Sequence, residues 1–101
     1  MYNESKKYGT YYGELINGNE ISEDFHYLDY PAQECVDALK ELGVKEIFFD
    51  YDKDEQDEWA DTMFFEVDKN TNMNDLLVYI AGMRPEEFSE ESPNCFRMWF
   101  D

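Results

Sequence analysis

Two stretches of this sequence, 31–42 and 73–83, repeat apolar residues at helical spacing, and the runs around them repeat at strand spacing. That interleaving limits the folds open to the chain more than any other feature. In the first stretch Ala32, Cys35, Val36, Leu39 and Leu42 share one face. Asp29 and Pro31 suit its first turn and Gly43 its end, which leaves Glu34, Asp37 and Glu41 facing water. In the second, Asn70-Thr71-Asn72 supplies capping side chains, Met73, Leu76, Leu77, Ile80 and Met83 form the buried stripe, and Arg84-Pro85 closes the helix.

Strand signals fill the remainder. Residues 8–16 and 19–27 flank Asn17-Gly18, the pair favoured in type I′ hairpin turns because both central positions need positive φ. In the second arm Ile21, Phe25 and Tyr27 alternate with Glu20, Ser22 and Asp24, as in a half-buried strand. Runs 44–51 and 62–68 are rich in β-formers, and 95–100 makes a last strand with Phe96, Met98 and Phe100 opposite Arg97 and Trp99. Residues 86–92 read as one further short turn of helix. The order ββαββαβ predicts a single α+β domain over 1–101, with a five-stranded, mainly antiparallel sheet and two helices on one face. Without the first strand, the βαββαβ remainder matches the ferredoxin-like arrangement, which hosts many unrelated activities and so implies none.

Charge narrows the function classes. Twenty-five Asp and Glu against eight Lys and Arg leave a net charge of −17 and a pI near 4.1. Such a field repels DNA, RNA and anionic membranes, which excludes direct binding to any of them. High net charge also favours disorder, but 43% hydrophobic and 18% aromatic residues provide enough apolar surface for a core. No run approaches the roughly 20 apolar residues of a membrane helix, and the opening MYNESKKYGT has no apolar signal-peptide core. A cytoplasmic protein is expected. Cys35 and Cys95 lie 60 residues apart without CxxC spacing, and His26 is the lone histidine, so two reduced thiols and no structural zinc or other cofactor are expected.

The most unusual segment is 50–61, DYDKDEQDEWAD, with seven carboxylates and one lysine in twelve residues. One reading is a solvated connection between strands. A second is a metal site, because Asp50, Asp52, Asp54, Glu58 and Asp61 fall at positions 1, 3, 5, 9 and 12 of an EF-hand-type calcium loop. Against it, Glu55 stands where that loop needs glycine, Asp61 is too short for the bidentate glutamate, and the flanks read as strands. The third is a surface for a basic protein. In extended chain, Asp50, Asp52 and Asp54 project to one side about 6–7 Å apart, presenting anions to the lysines and arginines that normally hold phosphates. Tyr51 and Trp59 add flat rings on which guanidinium groups stack. The candidate contact residues here are Asp50, Tyr51, Asp52, Asp54, Glu55, Asp57, Glu58, Trp59 and Asp61. A second acidic run adds Glu86, Glu87, Glu90 and Glu91, which the dipole at a helix N-terminus would also favour.

Catalytic readings are weak. His26 has no Ser or Cys at motif spacing and suits a surface strand; Cys35 falls on an apolar helix stripe and suits packing. Tyr8, Tyr11, Tyr12, Tyr27 and Tyr30 are sheet-forming residues that would also suit a protein interface. No enzyme is expected.

In length and charge pattern, DYDKDEQDEWAD and the 86–91 run included, the chain resembles the small acidic anti-CRISPR and antirestriction inhibitors of phages and mobile elements. The resemblance implies a nucleic-acid mimic that occupies the guide-RNA or DNA channel of a CRISPR effector or restriction nuclease in a bacterial host cell. The same physics fits an immunity protein for a nuclease toxin, and a calcium-binding or structural domain using 50–61 is the alternative from a different class.

Overall fold

A computed structural model describes residues 15–50 and 59–100. In chain order the elements are β1 (Leu15–Asn17), β2 (His26–Tyr27), β3 (Tyr30–Pro31), α1 (Ala32–Glu41), β4 (Glu46–Asp50), β5 (Trp59–Ala60), β6 (Thr62–Glu66), α2 (Met73–Met83), β7 (Glu87–Ser92) and β8 (Cys95–Trp99). The main sheet has five strands in the order β1-β4-β6-β8-β7, and every pairing in it is antiparallel. A small sheet, β3-β2-β5, sits apart from it, with β2 and β5 parallel.

Strand alternation divides the main sheet into two faces. Ile47, Phe49, Met63, Phe65 and Met98 join one core with Val36 and Leu39 of α1 and Leu76 and Ile80 of α2, so both helices pack on the same side. Phe48, Phe64 and Cys95 form a second cluster with Leu15. The α+β fold, with its five strands and two helices on one face, is therefore as the sequence implies. The strand order is not ferredoxin-like. In that arrangement the strand preceding the first helix lies between the third and last strands, whereas here β6 and β8 are direct neighbours and β2 belongs to the small sheet.

The expected Asn17-Gly18 hairpin does not form among the described residues; 8–14 lie outside them. β1 pairs with β4, and positive φ occurs at Leu28, Gly43, Arg84 and Asn94, not at Asn17 or Gly18. Instead the Asn17 side chain accepts from the Asn19 amide (2.8 Å) and its carbonyl from Glu20 (2.8 Å), turning the chain away from the sheet. Gly18 is needed for closeness: its amide donates to the Ile47 carbonyl at 2.8 Å, and a Cβ there would sit 3.2 Å from both Ile47 and Val36. Residues 19–25 are irregular, yet Phe25 and Tyr27 are buried and Glu20, Ser22 and Asp24 exposed, as the alternation implies.

Tyr27 fastens the small sheet to the core. Its ring meets Phe49 and Phe100 edge-on at 5.5 and 5.4 Å, and its hydroxyl donates to the Met98 carbonyl at 2.8 Å. α1 begins directly after Pro31, as expected, and buries Ala32, Cys35, Val36 and Leu39. It ends at Gly43, whose φ is +87°. There the two helices are tied together: the Thr71 hydroxyl donates to the Gly43 carbonyl (2.8 Å) and the Asn72 amide to that of Leu42 (2.8 Å). The Asn72 side chain caps α2 by accepting from the Asp75 amide at 3.1 Å.

Two expectations fail in this half. Leu77, assigned to the buried stripe, is 47% exposed, because α2 is apolar on more than one face and only Leu76 and Ile80 are fully covered. Residues 86–92 are not a helical turn but the strand β7, whose Phe88 stacks on Phe65 (6.1 Å) and Phe96 (5.3 Å).

Candidate partner-binding surfaces

Each acidic surface is held by elements already described, and their carboxylates are engaged to different degrees. In the 50–61 segment, residues 51–58 lie outside the described residues, so Tyr51, Asp52, Asp54, Glu55, Asp57 and Glu58 are not placed. Its ends are anchored in sheets. Asp50 closes β4 opposite Leu15, and Trp59 opens β5 opposite His26 with 47% of its surface exposed. Asp61 is half-buried: its side chain accepts from the Thr62 hydroxyl (2.8 Å) and its carbonyl from the Phe100 amide (3.1 Å). The flanks are strands, as the sequence implies, in contrast to the helices of a calcium hand. Among the described residues no three His, Cys, Asp or Glu side chains converge on a metal position.

The second run builds the edge of the sheet. Glu87 pairs with Arg97 at 2.8 Å, and that guanidinium lies 6.0 Å from the Trp99 ring. Glu90 accepts from the Asn94 amide (2.9 Å), steadying the left-handed turn between β7 and β8, and Glu91 accepts from the Ser89 hydroxyl (2.6 Å). Glu86 is exposed and its amide donates to the Trp99 carbonyl at 2.9 Å. Three of these four carboxylates thus have bonds within the hairpin. They also charge the outermost strand, which discourages pairing with another chain.

A third acidic surface joins the water-facing acids of α1 to Glu20, Glu23, Asp24 and Asp29, which with Glu14 the sequence also marks as a supporting acidic patch in the Lys- and Arg-free stretch 8–39. Glu34, Asp37 and Glu41 stand exposed along α1, rising about 4.5 and 6 Å at each step. The connection from β1 adds Glu20, Glu23, Asp24 and Asp29, all exposed. That connection is bound to α1 at both ends: the Ala32 amide donates to the Phe25 carbonyl (2.9 Å), and Lys40 donates to the Asn19 side chain. Among the described residues, α1 and this connection together carry seven exposed carboxylates and one lysine, Lys40, with Lys45 nearby across the cleft at Asn19. The signal was the absence of basic residues from 8 to 39.

The remaining chemical groups are occupied with structure. Cys35 and Cys95 are free, buried thiols in separate clusters, one on each face of the sheet. Burial pushes the Cys35 thiol up, out of the reactive range, and it shares a hydrogen bond with Tyr79 across the α1–α2 contact. His26 is exposed and its Nδ1 donates to the Asp24 carbonyl at 2.8 Å. A polar cleft of about 230 Å³ between Asn19, Lys40 and Lys45 has its lysines already partnered, by Asn19 and by Glu66 at 3.9 Å.

Ion pairing cannot neutralise this chain. If all eight basic residues paired as Lys45 does with Glu66 and Arg97 with Glu87, the net charge of −17 would still be uncompensated. With a Debye length of about 30 Å at 0.01 M salt and about 8 Å at physiological strength, screening relieves that repulsion. The melting temperature is expected to rise between low-millimolar and about half-molar NaCl; a flat or falling curve in calorimetry would mean that bound cations already neutralise the excess acids.

No helix among the described residues is long and apolar enough to cross a membrane. Protein-family models, curated proteins and solved structures contain no match to this chain.

Proposed function

We propose that this chain is a binding protein that imitates nucleic acid, inhibiting a defence nuclease of the CRISPR-effector or restriction type in the bacterial cytoplasm. The observation that carries the reading is the exposed acidic side made by α1 and the connection before it, which the 50–61 segment supplements. The carboxylates of α1 recur at axial intervals of the same order as the phosphates of one strand, about 3.4 Å apiece. Lysines and arginines that hold phosphates would meet anions at comparable spacing, and Trp59 is an exposed ring on which a guanidinium can stack.

The test is cleavage by a panel of purified CRISPR effectors and restriction endonucleases with this protein added, at low and high salt. At least one nuclease is expected to be inhibited, less so as salt rises. Replacing Asp50, Asp52 and Asp54 with Lys, or Glu34, Asp37 and Glu41 with Lys, shows which surface makes the contact, and the correct reversal should slow association about tenfold or more. Trp59→Ala should act chiefly on dissociation. Reversal of Glu86, Glu87 and Glu90 is the control for the hairpin edge. If no nuclease responds, or if the protein itself shifts DNA or RNA in a low-salt gel, the mimic reading is lost.

A further inference from the structure

We propose that the outer face of the small sheet is an arginine-binding platform, on which a guanidinium of a basic partner protein lies flat against Trp59 beside His26. Strand register assembles it. His26 stands opposite Pro31 in β3 and opposite Trp59 in β5, while the next pair along, Tyr27 and Ala60, is buried, so the three rings share the face turned away from the core. All three are exposed. With neighbouring strands about 4.8 Å apart, the row is about 10 Å wide, room for one guanidinium plane. Trp59 is 47% exposed, and among the described residues no ring stacks on its indole, no cation lies over it and no acceptor takes its N–H. The His26 Nδ1 donates to the Asp24 carbonyl at 2.8 Å, which fixes the ring and leaves Nε2 of the neutral imidazole as an acceptor for a guanidinium N–H.

Charge and ring chemistry select the occupant. Glu23, Asp24, Asp29 and Glu34 are exposed and lie within three positions of His26 or Pro31 in the chain, and no lysine or arginine occurs from 8 to 39. Such a face draws a cation and repels a phosphate. A guanidinium is planar and weakly hydrated, so it can lie on an indole and still donate sideways to a carboxylate or an imidazole, whereas an ammonium is compact and strongly hydrated. The molecule already builds this combination once: the Arg97 guanidinium is 6.0 Å from the Trp99 ring and pairs with Glu87 at 2.8 Å. At the small sheet the indole and the acids are in place, and the cation comes from outside. The inference rests on the basic partner proposed above and adds which of its side chains is held, and by which rings.

The experiment titrates the full chain with hexa-arginine and with hexalysine at about 150 mM NaCl, read by calorimetry and by the indole N–H resonances of Trp59 and Trp99. Hexa-arginine is expected to bind about threefold or more tightly than hexalysine and to move the Trp59 resonance. Trp59→Ala should bring the two affinities level, with hexalysine binding and melting temperature unchanged, and Trp59→Phe should restore part of the preference. His26→Ala should weaken hexa-arginine about twofold or more and leave hexalysine as it was. Replacing Glu34 and Asp37 with Lys should instead weaken both peptides alike, through the general field. Equal affinities for the wild-type chain, or a preference that survives Trp59→Ala, overturn the proposal. So does maltohexaose moving the Trp59 resonance where hexa-arginine does not, which would make the platform a sugar site. An arginine preference with no nuclease inhibited keeps the platform and removes the nuclease reading; an inhibited nuclease with no arginine preference does the reverse.

Discussion

Tyr27→Ala is expected to destabilise the fold by about 3–5 kcal/mol, the cost of removing a large aromatic side chain from a closed core. The side chain has no accessible surface, its ring touches Phe49 and Phe100, and its hydroxyl satisfies the Met98 carbonyl. The loss would open a cavity where the small sheet meets the main one, in a domain whose total stability is on the order of 5–15 kcal/mol. Tyr27→Phe keeps the packing and removes one buried hydrogen bond, so about 1–2 kcal/mol is expected. Urea unfolding with unchanged slope reads both; a loss below about 1 kcal/mol for the alanine variant would mean the small sheet is not held through this ring. Burial pushes the Tyr27 phenol above its ordinary range. Its contribution is therefore complete at neutral pH and is lost as pH rises past the ordinary phenol range into the folded one, which an alkaline titration of stability would follow.

Gly43→Ala is expected to cost about 2–4 kcal/mol, for two reasons that add. The backbone there has φ +87°, and a Cβ would lie 2.8 Å from the Asn70 carbonyl oxygen and 3.1 Å from the Thr71 Cα. Those obstacles are backbone and cannot rotate aside. The same junction carries the Thr71–Gly43 and Asn72–Leu42 hydrogen bonds, so relief of the clash would pull α2 from the end of α1. Gly82→Ala is the contrast. Gly82 is helical with open space around it, and alanine there should stabilise by about 0.5–1 kcal/mol. Equal effects at the two glycines would contradict the close approach at Gly43.

Both helices were legible in the sequence because their ends are marked by residues that act locally: Pro31 and Gly43 for α1, Asn72 and Arg84-Pro85 for α2. The outward side of α2 was not legible. Leu76, Leu77, Val78, Ile80 and Ala81 make the helix apolar nearly all round, and periodicity has no contrast to read there. Asn17-Gly18 misleads for a related reason: the pair permits a tight turn, but β1 has a partner in β4, and Gly18 serves to let that strand pass close to Ile47 and Val36. For 86–92 the acids suggested a helix start, whereas the deciding residue was Phe88, whose stack with Phe65 and Phe96 depends on strands remote in sequence. Of the contact residues, Trp59 was legible as an exposed ring. The engagement of Glu87, Glu90 and Glu91 was not, because their partners are defined only once β7 and β8 pair.

The acids of β7 also govern how this chain fails. A sheet can act as a template, recruiting unfolded copies strand by strand onto its outermost edge at a spacing of about 4.8 Å. In-register stacking of β7 on another β7 would set Glu87 on Glu87, Glu90 on Glu90 and Glu91 on Glu91, so each added copy meets the charge of the one before it. At neutral pH the sequence is thus a poor seed for its own fibres, and a destabilised copy is steered toward a soluble, expanded coil. That protection is held as protons kept off carboxylates, and it lapses as the solution approaches the pI near 4.1. Acidity in this edge strand thus serves twice, holding its own hairpin together and opposing polymerisation along its free side.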